Sequence, residues 1–246
     1  MLTWPSLWYC SCFGDDLKIH VSYARYKHWF QYDTPKVKEN SHVVVAMFRD
    51  PYDWTEAMRQ RPHHAHEHIG LSWRDFVTKP WVGARGWHDM FLVKDARGQE
   101  RVIDYVKSTC VANYTWNEVI PCDAKDSVFV EGYARYMYEL NHDGSGKAYP
   151  SIVDLRREKI LNFLTVPQMK GVKAFFPERY EELSRDGTAS LIETLEKATG
   201  KTAKCEPFPA TGVVKRKRVD PRYVRWMNQN VDWEVEGLIG YSKRQQ

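Results

Sequence analysis

The stretch that most constrains the fold is residues 42–62, HVVVAMFRDPYDWTEAMRQRP. Its apolar run at 43–48 is rich in β-branched residues, which predicts a strand buried on both faces of a parallel sheet. Asp50 is suited to cap a helix and Pro51 to open it, so a helix is predicted directly after the strand. Arg49 is then expected at the carboxyl end of a core strand, where open α/β sheets bind their ligands.

Arg49 has two interpretations at this position. A guanidinium at a strand end can donate forked hydrogen bonds to a phosphate. Alternatively, Arg49 forms an ion pair with a nearby carboxylate (Asp50, Asp53 or Glu56) and only stabilises the loop between strand and helix. These residues alone favour the second interpretation, because acidic residues at the helix start compete with an anion for the backbone amides.

Strand and helix patterns alternate along the rest of the chain, which predicts an α/β fold with a parallel sheet flanked by helices. We expect one domain over residues 1–246, with 1–17 unassigned, 205–219 resembling a linker and 220–241 forming C-terminal helices. The predicted strands are 18–26, 43–48, 90–93, 102–106 and 172–176. Helices are predicted from Pro51, over 72–79, after Ser151, from Asp186 or Thr188 to Gly200, and after Asp220 and Asp232.

Composition excludes several classes of protein. A net charge of +4 in 246 residues suits an anionic ligand but does not require nucleic acid. Five widely spaced cysteines without a Cys-x-x-Cys pair indicate neither a zinc ribbon nor a disulfide framework. No apolar run reaches membrane-spanning length, and no signal peptide is recognisable, so a cytoplasmic location is favoured.

Two motifs are weak candidates for function. Gly144-Ser145-Gly146-Lys147 resembles the end of a phosphate-binding loop, but it lacks the first glycine and a preceding buried strand, which favours a surface turn. His63, His64, His66 and His68 follow the helix-breaking Pro62 and lack the spacing of a zinc hydrolase. We therefore expect no metal site, and a metal-dependent hydrolase is only a third hypothesis.

Lys27-His28 ends the predicted strand that precedes the Arg49 strand. Lys27-His28 and Arg49 are then expected on the same rim of the sheet. His28 could take a proton from an attacking hydroxyl, and Lys27 could neutralise a leaving phosphate. A histidine packed among the neighbouring aromatic residues, without any chemical role, fits the same spacing.

Several segments together resemble the sulfotransferases that use 3′-phosphoadenosine 5′-phosphosulfate (PAPS), in particular a divergent algal and microbial branch. They are the strand ending in Arg-Asp-Pro with its Tyr-Asp-Trp helix, HHAHEHIGLSWRDFVTKPW, IVDLRREKILNFL, RYEELSRDGTASLIE and YVRWMNQNVDWEVEGLIGY. The resemblance implies a P-loop nucleotide-hydrolase-like fold and PAPS as co-substrate without a metal. It also implies that Arg49 binds the 3′-phosphate, that Tyr180 lies against the adenine, and that His28 is the base.

The chain departs from the family at two points. Ala57 stands where the family has a serine that shares the 3′-phosphate. Residues 1–17 contain nothing like the family's Lys-x-Gly-[Ser/Thr]-Thr loop, so we expect a fold that is incomplete at its N-terminal end. The first hypothesis is transfer of a sulfonate to an acceptor hydroxyl or amine, with little or no activity expected of this form. The second is a non-catalytic nucleotide-binding or interaction module. The acceptor and the oligomeric state are not predicted.

Overall fold

A computed structural model describes residues 13, 31, 38–60, 62, 68–81, 90–94, 100–104, 149–214 and 219–245. Within these residues the strands are β1 (His42–Phe48), β2 (Met90–Lys94), β3 (Glu100–Asp104) and β4 (Val172–Arg179). The helices are α1 (Pro51–Gln60), α2 (Trp73–Thr78), α3 (Ile152–Thr165), α4 (Tyr180–Asp186), α5 (Ala189–Thr199), α6 (Pro221–Asn230) and α7 (Trp233–Leu238). A 3-10 turn, Val166–Gln168, follows α3.

The chain divides into two compact units, one comprising residues 1–50 and 161–218 and the other 51–160 and 219–246. The first unit holds the parallel pair β1 and β4, in register from Val43 opposite Ala174 to Phe48 opposite Arg179. In the second unit β2 and β3 form an antiparallel pair. Helices together with a small parallel sheet confirm the α/β class.

Strand β1 packs on both of its faces. Val43 and Val45 contact a cluster that includes Leu191 of α5, whereas Val44 contacts a cluster built on Val166 and Val172. Alternate residues of a strand point to opposite faces, so helical elements cover both sides of this pair. The predicted burial is met only in part: Ala46 and Phe48 are buried, the residues from His42 to Val45 are half-buried, and Met47 is exposed.

Capping residues in the sequence mark most of the helix ends. Ser151 precedes α3, where its hydroxyl accepts the amide of Asp154 at 3.4 Å. Asp220 and Asp232 accept amides at the starts of α6 and α7. Gly200 ends α5 with φ of 70°, a left-handed conformation that suits glycine. Strand β4 runs on to Arg179, three residues past its predicted end, because Pro177 pairs with Ala46 of β1.

The second unit has its own core, which is largely aromatic. Tyr52, Phe76, Tyr149 and Tyr223 are almost completely buried there. Tyr223 stacks edge-on to Tyr52 at 6.4 Å between ring centroids, and its hydroxyl donates to the Tyr52 carbonyl at 2.9 Å. Burial raises the pKa of the Tyr223 hydroxyl, so this phenol stays a hydrogen-bond donor at neutral pH.

Cys205 is disulfide-bonded, a bond that the cysteine pattern of the sequence did not indicate. Its partner lies outside the described residues. Sequence spacing did not reveal the bond, because a bond between distant cysteines depends on how the fold brings their Cα atoms together. Cys205 packs against the cluster formed by Leu183, Leu191 and Leu195.

Reducing this disulfide should lower the free energy of unfolding by about 2–4 kcal/mol, because the bond restricts the unfolded chain. Urea unfolding with and without dithiothreitol measures the effect. In Cys205→Ala the difference between the two conditions should shrink by that amount. A Cys205→Ala protein as sensitive to reductant as the unmodified protein would contradict the prediction.

Candidate nucleotide-binding site

The candidate site is the rim formed by the carboxyl ends of β1 and β4. The two strands run parallel, and their last residues, Phe48 and Arg179, are partners in the ladder. Arg49 and Tyr180 are the residues that come next on each strand. The register alone therefore places these two predicted ligand contacts side by side, at the edge where parallel α/β sheets bind ligands.

Arg49 and Tyr180 are in contact. The guanidinium carbon of Arg49 lies 5.3 Å from the centroid of the Tyr180 ring, and both side chains are half-buried. A cation over an aromatic face gains from the negative charge density of the ring. The contact holds the guanidinium in place. It also covers one face of the phenol, so an adenine at Tyr180 would have to use the rest of the ring.

Glu181 connects the segment that follows β1 to the start of α4. Its carboxylate accepts the backbone amide of Asp50 at 2.9 Å, and both residues are buried. This bond fixes the residue after Arg49 to the first turn of α4, which begins at Tyr180. This role of Glu181 was not predicted from the sequence, although an acid in the first turn of a helix that starts at a strand end is a visible signal.

Other carboxylates around the rim limit how strongly it attracts anions. Glu182 pairs with Arg179, so the second arginine of the rim has its charge balanced. Burial and the nearby charge of Glu182 raise the pKa of Glu178. Two arginines among several acids favour a ligand with a well-placed phosphate over non-specific attraction of anions.

Two of the three acidic residues that the sequence offered as alternative partners of Arg49 pair with other cations. Glu56 pairs with Arg59 at 2.6 Å. Asp53 pairs with Arg244 at 3.0 Å. The Arg244 guanidinium also lies 4.5 Å from the centroid of the Tyr52 ring, and the Arg244 amide donates to the Tyr52 hydroxyl at 3.0 Å. Tyr52 and Asp53 of the Arg-Asp-Pro-Tyr-Asp motif therefore anchor the C-terminal segment.

The predicted catalytic residues Lys27 and His28 lie outside the described residues, as do residues 144–147. Gln31, three residues after His28, is described and is buried. Its amide donates to Asn162 Oδ1 at 2.6 Å, and its carbonyl accepts from Asn162 Nδ2 at 2.8 Å. The next residue of α3, Phe163, stacks edge-on to Phe48 at the end of β1, with centroids 6.3 Å apart.

His68 is the described member of the histidine cluster. It is completely buried, and its ring lies 5.6 Å from Phe76 and 4.7 Å from Trp81 between centroids. The imidazole therefore serves as part of an aromatic core. Among the described residues, no group of three or more His, Cys, Asp or Glu side chains is placed to hold a metal ion. His63, His64 and His66 lie outside those residues.

No family model matches the chain, and no curated protein or solved structure is significantly similar to it. In the part of the chain that the structure describes, no helix has the length and apolar character needed to cross a bilayer.

Proposed function

We propose that this chain is a sulfotransferase-like protein that binds PAPS at the rim holding Arg49 and Tyr180. One observation carries the proposal. Two residues assigned to the nucleotide from separate motifs, far apart in the sequence, lie together at adjacent parallel strand ends. The guanidinium carbon of Arg49 is 5.3 Å from the centroid of the Tyr180 ring. In this proposal Arg49 binds the 3′-phosphate through forked hydrogen bonds, and Tyr180 lies against the adenine.

The proposed reaction is transfer of the sulfonate to an acceptor hydroxyl or amine, with His28 as base and Lys27 as charge stabiliser. This assignment rests on the sequence alone, in which Lys27-His28 ends the predicted strand before the Arg49 strand.

The second candidate is a non-catalytic module that keeps the nucleotide site without transferring a sulfonate. The acidic surroundings of the rim and the lack of a Lys-x-Gly-[Ser/Thr]-Thr sequence favour it. Both candidates use Arg49 in the same way. Nucleotide binding therefore tests the site, and sulfonate transfer distinguishes the two functions.

We expect 3′-phosphoadenosine 5′-phosphate to bind more tightly than adenosine 5′-phosphate, and Arg49→Ala to remove that preference. The loss of a forked, charge-assisted contact should cost about 1.5–3 kcal/mol, which corresponds to roughly 10–150-fold in affinity. Isothermal titration calorimetry with both nucleotides on both proteins measures it.

Arg179→Ala is the matched control, because Arg179 stands at the end of the neighbouring strand and pairs with Glu182. This variant should keep the preference for the 3′-phosphate. Equal affinity of the unmodified protein for the two nucleotides would contradict the proposed site. Loss of the preference in both variants would mean that general charge, and not Arg49, is recognised.

A further inference from the structure

Glu181 links the two proposed ligand contacts through the backbone. Its carboxylate accepts the Asp50 amide at 2.9 Å, and both residues are buried. The Asp50 nitrogen belongs to the peptide unit that joins Arg49 to Asp50, and the atoms of a peptide unit, including the Cα atom of Arg49, lie in one plane. Glu181 in turn follows Tyr180 directly. One hydrogen bond therefore ties the backbone of the phosphate contact to the residue next to the adenine contact.

The strength of this bond comes from the burial of its donor and the charge of its acceptor. Removing the acceptor of a buried amide costs more free energy than an ordinary hydrogen bond contributes. An ionised acceptor also makes the bond shorter and stronger than a neutral one would. Asp50 precedes Pro51, and a residue before proline has a restricted backbone. The segment that carries Arg49 is therefore stiff, and a shift of the Asp50 amide would move the arginine with it.

The position of Arg49 relative to Tyr180 matters for the choice between isomeric nucleotides. The guanidinium carbon lies 5.3 Å from the centroid of the Tyr180 ring. A nucleotide whose base lies against that ring would therefore meet the arginine at a fixed offset. The 2′- and 3′-oxygens stand on adjacent carbons of the ribose, so moving a phosphate between them changes its direction from the base but not its charge. Forked hydrogen bonds from a guanidinium depend on that direction.

We infer that Glu181 is a positioning residue that gives the site its selectivity for a 3′-phosphate over a 2′-phosphate. The inference rests on the proposed nucleotide site and adds the means by which that site selects between isomers. Glu181 acts through the Asp50 amide and does not need to touch the ligand. An effect of its charge would have the opposite sign. A carboxylate bound to the residue after an arginine weakens the attraction of any phosphate, so its removal would strengthen the binding of both isomers.

Isothermal titration calorimetry of the full chain with 3′-phosphoadenosine 5′-phosphate and with its isomer 2′-phosphoadenosine 5′-phosphate tests the inference. We expect the unmodified protein to prefer the 3′-isomer roughly tenfold or more, the factor that a forked, charge-assisted contact supplies. In Glu181→Ala this preference should fall to about threefold or less, because an arginine that can move contacts either phosphate. The affinity for adenosine 5′-phosphate should stay the same in both proteins, which shows that the rest of the site is intact.

Two conservative variants separate the position of the acceptor from its charge. Glu181→Gln removes the charge but keeps an oxygen at the same reach, so it should keep most of the preference. Glu181→Asp keeps the charge but is one methylene shorter, so it should lose the preference as Glu181→Ala does. This pair decides the question even where the alanine variant does not fold. Glu196→Ala is the matched control, because the Glu196 carboxylate on α5 also accepts a backbone amide, that of Ala203 at 2.7 Å. It should keep the preference in full.

The possible failures are distinguishable. Equal binding of both isomers and of adenosine 5′-phosphate by the unmodified protein would contradict the proposed site, and the inference with it. A preference for 3′-phosphoadenosine 5′-phosphate over adenosine 5′-phosphate that depends on Arg49, without any preference between the isomers, would leave the site standing and overturn the inference. Selectivity retained in Glu181→Asp would mean that Glu181 only stabilises the loop. Selectivity lost in Glu181→Gln would mean that its charge is what counts. Either result would also overturn the inference.

Discussion

Replacing Arg156 by methionine should lower the free energy of unfolding by about 3–5 kcal/mol, although the chain length and the local helix propensity hardly change. Arg156 on α3 binds Glu236 on α7 through two hydrogen bonds, Nε to Oε1 at 2.5 Å and Nη2 to Oε2 at 2.9 Å. Its guanidinium also lies 4.9 Å from the centroid of the Trp54 ring. Without the arginine, the buried Glu236 carboxylate has lost its counter-charge, and that is the source of the cost.

The neighbouring Arg157 provides the matched control. It pairs with Asp232, the residue that caps α7, at 2.8 Å. Its side chain is 44% exposed, whereas the side chain of Arg156 is 6% exposed. Water and salt screen an exposed pair, so Arg157→Met should cost no more than about 1 kcal/mol. Both substitutions remove one guanidinium from the same turn of α3, and the buried pair should show much the larger loss.

A double variant separates the loss of attraction from the burial of a lone charge. Arg156→Met/Glu236→Leu removes both charges and should recover most of the stability lost in the single variant. Urea unfolding of the four proteins, followed by circular dichroism, gives the free energies. If the double variant is as unstable as Arg156→Met, the cost comes from packing around Trp54 and the explanation by a stranded carboxylate is wrong.

Local sequence patterns predicted most of the helices and strands in the described part of the chain, because each pattern reflects a local physical preference; the predicted strand 18–26 lies outside the described residues. The β-branched run before Arg49 forms β1, and Ser151, Asp220 and Asp232 cap helices at the places expected. These signals need only a few neighbouring residues. The α/β class followed from the alternation of such elements, without any knowledge of which strands pair.

Features that depend on distant partners were not visible in the sequence. Arg156 lies among the apolar positions of α3, and its burial makes sense only once Glu236, 80 residues later, is placed beside it. The disulfide at Cys205 and the extension of β4 past Pro177 likewise depend on the folded chain. At the candidate site, the motifs identified Arg49 and Tyr180 separately. The parallel pairing of β1 with β4 is what brings them together.

The largest functional effect concerns sulfonate transfer, where we expect the chain of 246 residues to show little or none. Its sequence contains no Lys-x-Gly-[Ser/Thr]-Thr loop to surround the 5′-phosphosulfate with amides and a lysine. In-line transfer needs hydrogen-bond donors fixed where negative charge develops, and removing even one such donor typically slows a reaction by ~10²–10³. Here several are missing together. His28 can serve as a base only if the electrophile is held in front of it.

Incubation with PAPS carrying a labelled sulfonate, and with phenolic, sugar and amine acceptors, measures the activity. A version joined at its N-terminal end to a strand–loop–helix unit with the family's loop should gain transfer that His28→Ala abolishes. Arg49→Ala in that version should raise the concentration of PAPS needed, because the 3′-phosphate contact is made before and during transfer. Rapid turnover by the 246 residues alone would contradict the prediction, since other groups of this chain would then hold the phosphosulfate. A joined protein that binds the nucleotide through Arg49 but transfers nothing would favour the non-catalytic module.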